Sequence, residues 1–248
     1  MPIKIAIPEP SSNYEYNRRS LPSYLTALKV AGAEPVLVPL ASSQEAVARL
    51  AADTQAILLP GSRFDLDPQI YGQARLPECA PSDPSRHAVD ELLLQDAFNL
   101  QKPILAICGG MQSLNVWRGG SLFQHLRTQI NHSPGREVVD AHTVRVRAGT
   151  RLARLAAAVN ETEPWVNSSH HQAIDRVGDN LQIAAVSPMD GVIEGVELDS
   201  EGHFVVAVQW HPERTYDSCA FSKAIFAEFV RATGAYEPRP VRESVTAP

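Results

Sequence analysis

The sequence predicts an α/β fold, with a parallel central sheet, helices on both of its faces and an antiparallel extension in the second half. Two observations carry that prediction. Up to Gly109, short β-rich apolar runs alternate with stretches of helical periodicity, which is how a parallel sheet with crossover helices is written. Beyond that helix the runs become strands joined by turns, as in antiparallel pairs.

Taken in order, Ile3–Ile7 is a β-rich run that fits a first strand. In "SLPSYLTALKVAG", Leu21, Leu25, Leu28 and Val30 fall near helical spacing, and Gly32 supplies the stop. Val36–Val38 reads as the second strand and "SQEAVARLAADT" as a helix. "AILLPG", Ala56 to Gly61, is a third strand ending in a glycine turn. A Pro-rich loop covers Asp65 to Pro84, "AVDELLLQDAFNLQ" is a helix, and "PILAIC" is the fourth strand, with the next helix starting near Gly109. "HTVRVR", "LQIAAVS", "GVIEGVELDS" and "HFVVAVQW" read as strands, interrupted by one short helix at "TRLARLAAA". "SCAFSKAIFAEFVRAT" closes with an amphipathic helix. These elements imply one domain over residues 1–233 and a polar, Pro-rich, frayed tail over 234–248.

Composition narrows the function classes. The chain has 248 residues, 44% hydrophobic and 20% charged, in the ordinary globular range. Its net charge of −6 argues against nucleic acid as a partner. No apolar run approaches the roughly 18 residues that a spanning helix needs, which argues against a membrane. "MPIKIAIPEP" lacks the apolar core of a signal peptide, so a cytoplasmic protein is expected. Three cysteines without repeated spacing support neither a disulfide framework nor a CxxC metal site. Cys79 sits in a loop and Cys219 opens the last helix, and both read as unreactive thiols.

Cys108 differs. An apolar strand delivers it to the rim where ligands bind in open α/β sheets, and Gly109 and Gly110 follow at once. A nucleophile on a strand–turn–helix elbow needs small neighbours, and Ala106 and the two glycines supply them. The N-terminus of the next helix favours thiolate over thiol. A base is found in "VVAVQWHPE", where a strand delivers His211, Pro212 ends the pairing and Glu213 follows. If the extended geometry persists, His211 and Glu213 share one side, and a carboxylate beside an imidazole fixes its tautomer. Such a histidine takes a thiol's proton and returns one to a leaving amine.

"PILAICGGMQSLNVWRGGSLFQHL" and "VQWHPE" resemble the nucleophile and His–Glu motifs of class I glutamine amidotransferases. "LLPGSRFDLDPQIYG" and "WVNSSHHQAI" narrow the likeness to the γ-glutamyl-γ-aminobutyrate hydrolase family, grouped with the C26 peptidases. The resemblance runs from Ile3 to about Val230. It implies a flavodoxin-like sheet and hydrolysis of γ-glutamyl amide bonds on a small-molecule substrate. By position it implies Cys108 as nucleophile, His211 as base and Glu213 as its orienter. It further implies an oxyanion hole from the backbone of Gly61 or Ser62 with Gly109, and substrate contacts from Gln112, Ser169 and His170. The chain departs from the family pattern at Ala106, Gly109 and Ser62, where the usual residues are Gly, Arg and Gly. The missing arginine bears on substrate preference, so the acyl group is better defined than the leaving amine.

The same residues admit other readings. The same thioester serves a glutaminase subunit that passes ammonia to a separate synthetase. The PfpI-type proteases also carry an "AIC" elbow but commonly place His directly after the cysteine, where this chain has Gly109. A non-enzymatic module would need a broken triad, and none of the three residues is missing. No Walker or dinucleotide fingerprint appears, so no cofactor is expected. No metal is expected either: His170 and His171 are adjacent and point apart, and His125, His132, His142 and His203 are scattered and read as surface or structural. Asp65 and Asp67 read as loop-turn or N-cap residues, with contact to a substrate amine as the alternative, and Trp117 and Trp165 as core. A homo-oligomer is left open.

Overall fold

The computed structural model describes residues 2–198, 200 and 202–238. Twelve strands and six α-helices follow one another: β1 (Lys4–Pro8), α1 (Tyr14–Val30), β2 (Glu34–Val38), α2 (Gln44–Ala52), β3 (Ala56–Leu59), α3 (Pro84–Leu100), β4 (Ile104–Ile107) and α4 (Gly109–Trp117). Then come β5 (Leu122–Phe123), β6 (His142–Thr143), β7 (Arg145–Val146), α5 (Arg151–Ala158), β8 (Trp165–Val166), β9 (Ala173–Ile174), β10 (Leu181–Val186), β11 (Ile193–Leu198), β12 (Val205–Val208) and α6 (Ala220–Gly234).

The main sheet runs β2-β1-β3-β4-β12-β11-β10-β7, parallel from β2 to β12 and antiparallel beyond. β12 was expected among the antiparallel strands. It instead pairs parallel with β4, Val205 to Val208 against Ile104 to Ile107, and antiparallel with β11, so it joins the two halves.

Period-2 alternation explains why β3, β4 and β12 read as continuous apolar runs: both faces are covered. Ile5, Ile7, Leu58, Leu105, Ile107, Val206 and Val208 pack under α1, α5 and α6, against Tyr24, Leu28, Leu152, Phe226 and Phe229. Ala6, Ile57, Leu59, Ile104, Ala106, Val205 and Ala207 pack under α2, α3 and α4, against Val47, Leu93, Leu94, Met111 and Leu114. Each large side chain so buried stabilises by about 1.5–3 kcal/mol, which fixes the strand register that carries the site.

Several boundaries differ from expectation. α1 starts at Tyr14 rather than near Ser20, because Asn13 Oδ1 caps the Tyr16 N–H at 2.9 Å and the polar first turns need no apolar stripe. "HTVRVR" splits into β6, which pairs with β8 in a separate two-stranded sheet, and β7, which joins the main one. β5, β8 and β9, two residues each, are too short to show a period. Trp165 is exposed rather than core. The start of the expected tail is tied down, since Gly234 ends α6 and the Tyr236 hydroxyl donates to the Leu100 carbonyl at 3.1 Å; residues 239–248 lie outside the described residues. No helix among the described residues is long and apolar enough to cross a membrane.

Candidate active site

β4 and β12 deliver their ends to one rim. The Cys108 N–H donates to the Val208 carbonyl at 2.8 Å, continuing the strand pairing to the last residue before α4. Cys108 itself has φ 52 and ψ −108, a conformation that L side chains rarely adopt. That strained turn is the elbow expected from the sequence.

His211 leaves β12 in a different way from the one expected. The chain does not stay extended but bends into a 3-10 turn over Pro212–Arg214. The turn still brings Glu213 back beneath the ring, with His211 Nδ1 2.8 Å from Glu213 Oε1 and both side chains 2% exposed. Asn167 clamps the same residue from the other side: its Oδ1 accepts the His211 N–H at 2.9 Å and its Nδ2 donates to the His211 carbonyl at 2.8 Å. Asn167 was missed in the sequence, since it lies 44 residues from its partner.

Cys108, His211, Ser62, Gly109, Gln112, Ser169 and His170 all line one cleft of about 250 Å³. Gly61 packs behind it. A Cβ there would stand 2.9 Å from His211 Cε1, 3.1 Å from the Tyr24 hydroxyl and 3.4 Å from Cys108 Cβ, so only glycine lets these groups approach. The Gly61 N–H donates to Tyr24 Oη at 3.0 Å, which removes it as a free donor and leaves Ser62 of the two expected alternatives. Gly109 faces that donor, for a Cβ on it would lie 2.9 Å from the Ser62 N and 3.2 Å from Ser62 Cβ. The two departures at positions 62 and 109 are thus neighbours in space, and a side chain on residue 109 would crowd the backbone N of residue 62.

The remaining pocket residues are engaged with protein. Gln112 Nε2 donates to the Gln172 carbonyl at 3.1 Å and to Gln209 Oε1 at 3.2 Å. Ser169 Oγ accepts from Arg214 Nη1 at 2.7 Å. His170 borders the cleft, but its Nδ1 lies 2.9 Å from the Gln172 carbonyl and its Nε2 3.6 Å from Glu194 Oε1. Asp65 Oδ1 pairs with His171 Nε2 at 3.0 Å and Oδ2 accepts the Ala80 N–H, while Asp67 caps the 3-10 turn at Pro68–Tyr71.

Burial governs the ionisation. It pushes the Cys108 thiol up to about 12, against the pull of the Arg214 charge and the Gly109 N–H. Burial also lowers His211, although the Glu213 carboxylate opposes this. For Glu213 burial is outweighed by the His211 and Arg214 charges, which keep it below its ordinary value. The resting pair is therefore thiol and neutral imidazole, with the Nδ1 proton held by a carboxylate.

Arginines were the largest omission. Arg19, Arg63, Arg136 and Arg214 line the cleft and make it suited to carboxylates. Arg19 comes from α1, Arg214 from the 3-10 turn after β12, and Arg63 and Arg136 from loops, so no local spacing links them. Arg86 is buried in α3, paired with Asp90 at 2.7 Å, and its Nη2 donates to the Pro60 carbonyl at 2.7 Å, holding the turn that ends in Ser62.

Of the histidines read as surface or structural, two fit that reading and two need correction. His125 is exposed, and His203 is buried with its Nε2 2.7 Å from the Lys102 carbonyl. His132 and His142 are neither scattered nor on the surface, for both are buried and meet His170 around Glu194.

The family model described as Peptidase C26 matches residues 6–213. The Mycobacterium tuberculosis protein named "Putative glutamine amidotransferase Rv2859c" is 40% identical over 206 residues, covering 82% of this chain and 65% of that protein's length. "Gamma-glutamyl-gamma-aminobutyrate hydrolase PuuD" of Escherichia coli K12 is 32% identical over 219 residues, 84% of each chain. Among solved structures, a Thermoplasma acidophilum protein named "putative gmp synthase subunit a protein" superposes with a TM-score of 0.64 over 95% of this chain and 96% of its own, at 17% identity. That last likeness is one of fold.

Proposed function

We propose, from the premise that the chain belongs to the Peptidase C26 family of glutamine amidotransferase-like hydrolases, that it cleaves γ-glutamyl amides to glutamate and a free amine through a thioester on Cys108. One observation carries this reading: a strained, positive-φ cysteine and a carboxylate-anchored histidine line the same cleft at the end of adjacent strands.

The chemistry follows from the resting state. A thiol near 12 is not a standing thiolate at neutral pH, so proton transfer to His211 accompanies attack on the γ-carbonyl. The Nδ1–H is committed to Glu213, which leaves Nε2 to accept the proton. The N–H groups of Ser62 and Gly109 stabilise the oxyanion, an electrostatic effect worth about 100- to 1,000-fold per donor. Imidazolium then protonates the departing amine, and neutral His211 activates the water that releases glutamate.

The arginines bear on the leaving amine. A cleft edged by Arg19, Arg63 and Arg136 favours amines that carry a carboxylate, such as γ-aminobutyrate, the acid in the printed name of the Escherichia coli relative. The experiment is a comparison of kcat/KM on γ-glutamyl-γ-aminobutyrate, γ-glutamyl-ethylamine and glutamine. The acidic conjugate should exceed the ethylamine conjugate by about tenfold or more, the order of one charge-assisted contact. Negligible hydrolysis of all three alone, with glutamine turnover restored by a second protein, would assign the chain to ammonia delivery instead.

A further inference from the structure

Behind the cleft wall, three histidines and a glutamate converge from four separate segments, and one of them, His170, also borders the cleft. His132 precedes β6, His142 opens β6, His170 lies between β8 and β9, and Glu194 sits on β11. Their exposures are 4%, 5%, 5% and 0%. One ligand-capable atom from each lies within 4.8 Å of the others. Glu194 Oε1 stands 3.3 Å from His132 Nδ1, 3.6 Å from His142 Nε2 and 3.6 Å from His170 Nε2.

The outer ring nitrogens decide what the inner ones carry. His142 Nδ1 is 3.1 Å from the Thr143 carbonyl, and His170 Nδ1 is 2.9 Å from the Gln172 carbonyl. A carbonyl only accepts, so each Nδ1 bears a proton. His132 Nε2 faces Asp190 Oδ2 at 2.9 Å and is protonated for the same reason. A neutral ring has one such proton, so the inner nitrogens present lone pairs. Three lone pairs and a carboxylate then face one another, and these inner nitrogens and both Glu194 oxygens have no hydrogen-bond partner among the described residues. Acceptors gathered this way in a buried place repel one another unless a cation joins them.

We propose that His132, His142, His170 and Glu194 form a closed, four-ligand site for a divalent first-row transition ion, zinc fitting best. Imidazole and carboxylate suit zinc, and a tetrahedron with bonds of about 2 Å has edges of about 3.3 Å; the three edges at Glu194 Oε1 are already 3.3–3.6 Å, and the remaining separations, within 4.8 Å, would contract on binding. The outer hydrogen bonds are of the kind that orient metal-bound histidines. Four protein ligands leave no open position, so the ion is structural. It would clamp the cleft wall: the His170 N–H and the Ser168 hydroxyl both donate to the His132 carbonyl, and the adjoining Asn167 holds His211. No step at Cys108 passes through it.

A proton on one histidine is the competing occupant, and metal titration separates the two. Full-length protein and its Cys108→Ala form, which removes the competing thiol, would be stripped with a chelator under native conditions and checked for fold by circular dichroism. Titration with zinc should give one equivalent bound per chain in both. Cobalt should give the intense visible bands of four-coordination without thiolate charge transfer. Zinc should raise the thermal midpoint of the stripped protein by several degrees. His142→Gln and Glu194→Gln should weaken uptake by about 100-fold or more, and Asp190→Asn, which touches only the outer shell, by about 10- to 100-fold. Folded, stripped wild type that binds neither ion overturns the proposal, as does uptake lost in Cys108→Ala or unchanged in folded Glu194→Gln. The titration of wild type decides the matter even if those ligand variants do not fold.

Discussion

At His211 one ring nitrogen is tied to Glu213 and the ring borders a cleft; at Glu194 three rings are tied by their outer nitrogens and turn the inner ones onto a single buried carboxylate. The residue types are the same and the burial is similar. What differs is where the untied nitrogen points. Facing a cleft, it can exchange a proton with a substrate; facing other acceptors, it can only share a cation. Residue identity therefore does not separate a base from a ligand, whereas the partner of the second nitrogen does.

The largest effect expected from breaking the cleft side of this contrast is at the proposed nucleophile. Cys108→Ala should cost about 10,000-fold or more in kcat/KM, the scale on which nucleophiles are lost from triads, with a thermal midpoint within a few degrees of wild type. Turnover within tenfold of wild type would remove the thiol from the chemistry. Gly109→Ala comes next. Its methyl would sit 2.9 Å from the Ser62 N, so the two proposed donors must move apart. The expected loss is about 100- to 1,000-fold in kcat with little change in KM. A loss confined to KM would show that these N–H groups bind the ground state equally well.

How much of this was legible without coordinates follows the same division. Cys108 and His211 stood out in the sequence because each follows closely on an apolar strand, and Glu213 because it lies two residues after His211. The parallel sheet was readable because β3 and β4 are buried on both faces and so are continuously apolar. The Glu194 cluster was not, since its members come from positions 132, 142, 170 and 194 and share no spacing. Considering His170 only against its neighbour His171 hid the partners that lie across the fold. Asn167 and Arg86 act through backbone contacts 25 to 44 residues away, which no short motif encodes.

A smaller effect tests the tie itself. In Glu213→Gln the ring keeps its place through the Asn167 clamp, so the rate should fall only about 10- to 100-fold, less than the upper value of general acid–base catalysis. The pH profile is more telling. Burial lowers the His211 pKa from 6.5 and the Glu213 charge opposes that, so the acid limb of kcat/KM should lie below pH 6.5 in wild type and lower still in the variant. An acid limb that moved upward would mean that Glu213 does not act on His211 through its charge.

The smallest effect comes from a third histidine–carboxylate pair, more exposed than the other two. His171 bonds Asp65 at the cleft edge, with its other nitrogen 3.3 Å from His125 Nδ1, and its side chain is 37% exposed. The hydrogen bond and charge of Asp65 raise its pKa above 6.5. The folded protein thus holds this proton more tightly than the unfolded chain. The stability contributed by the pair is fully present below pH 6.5 and is lost as pH rises through the folded value. Solvent screening keeps it small. Thermal midpoints measured between pH 6 and 8.5 should therefore fall slightly more for wild type than for His171→Gln, by about a degree. Parallel curves would place the pair beyond any role in folding stability, and an altered rate without an altered midpoint would move it to the substrate side of the cleft.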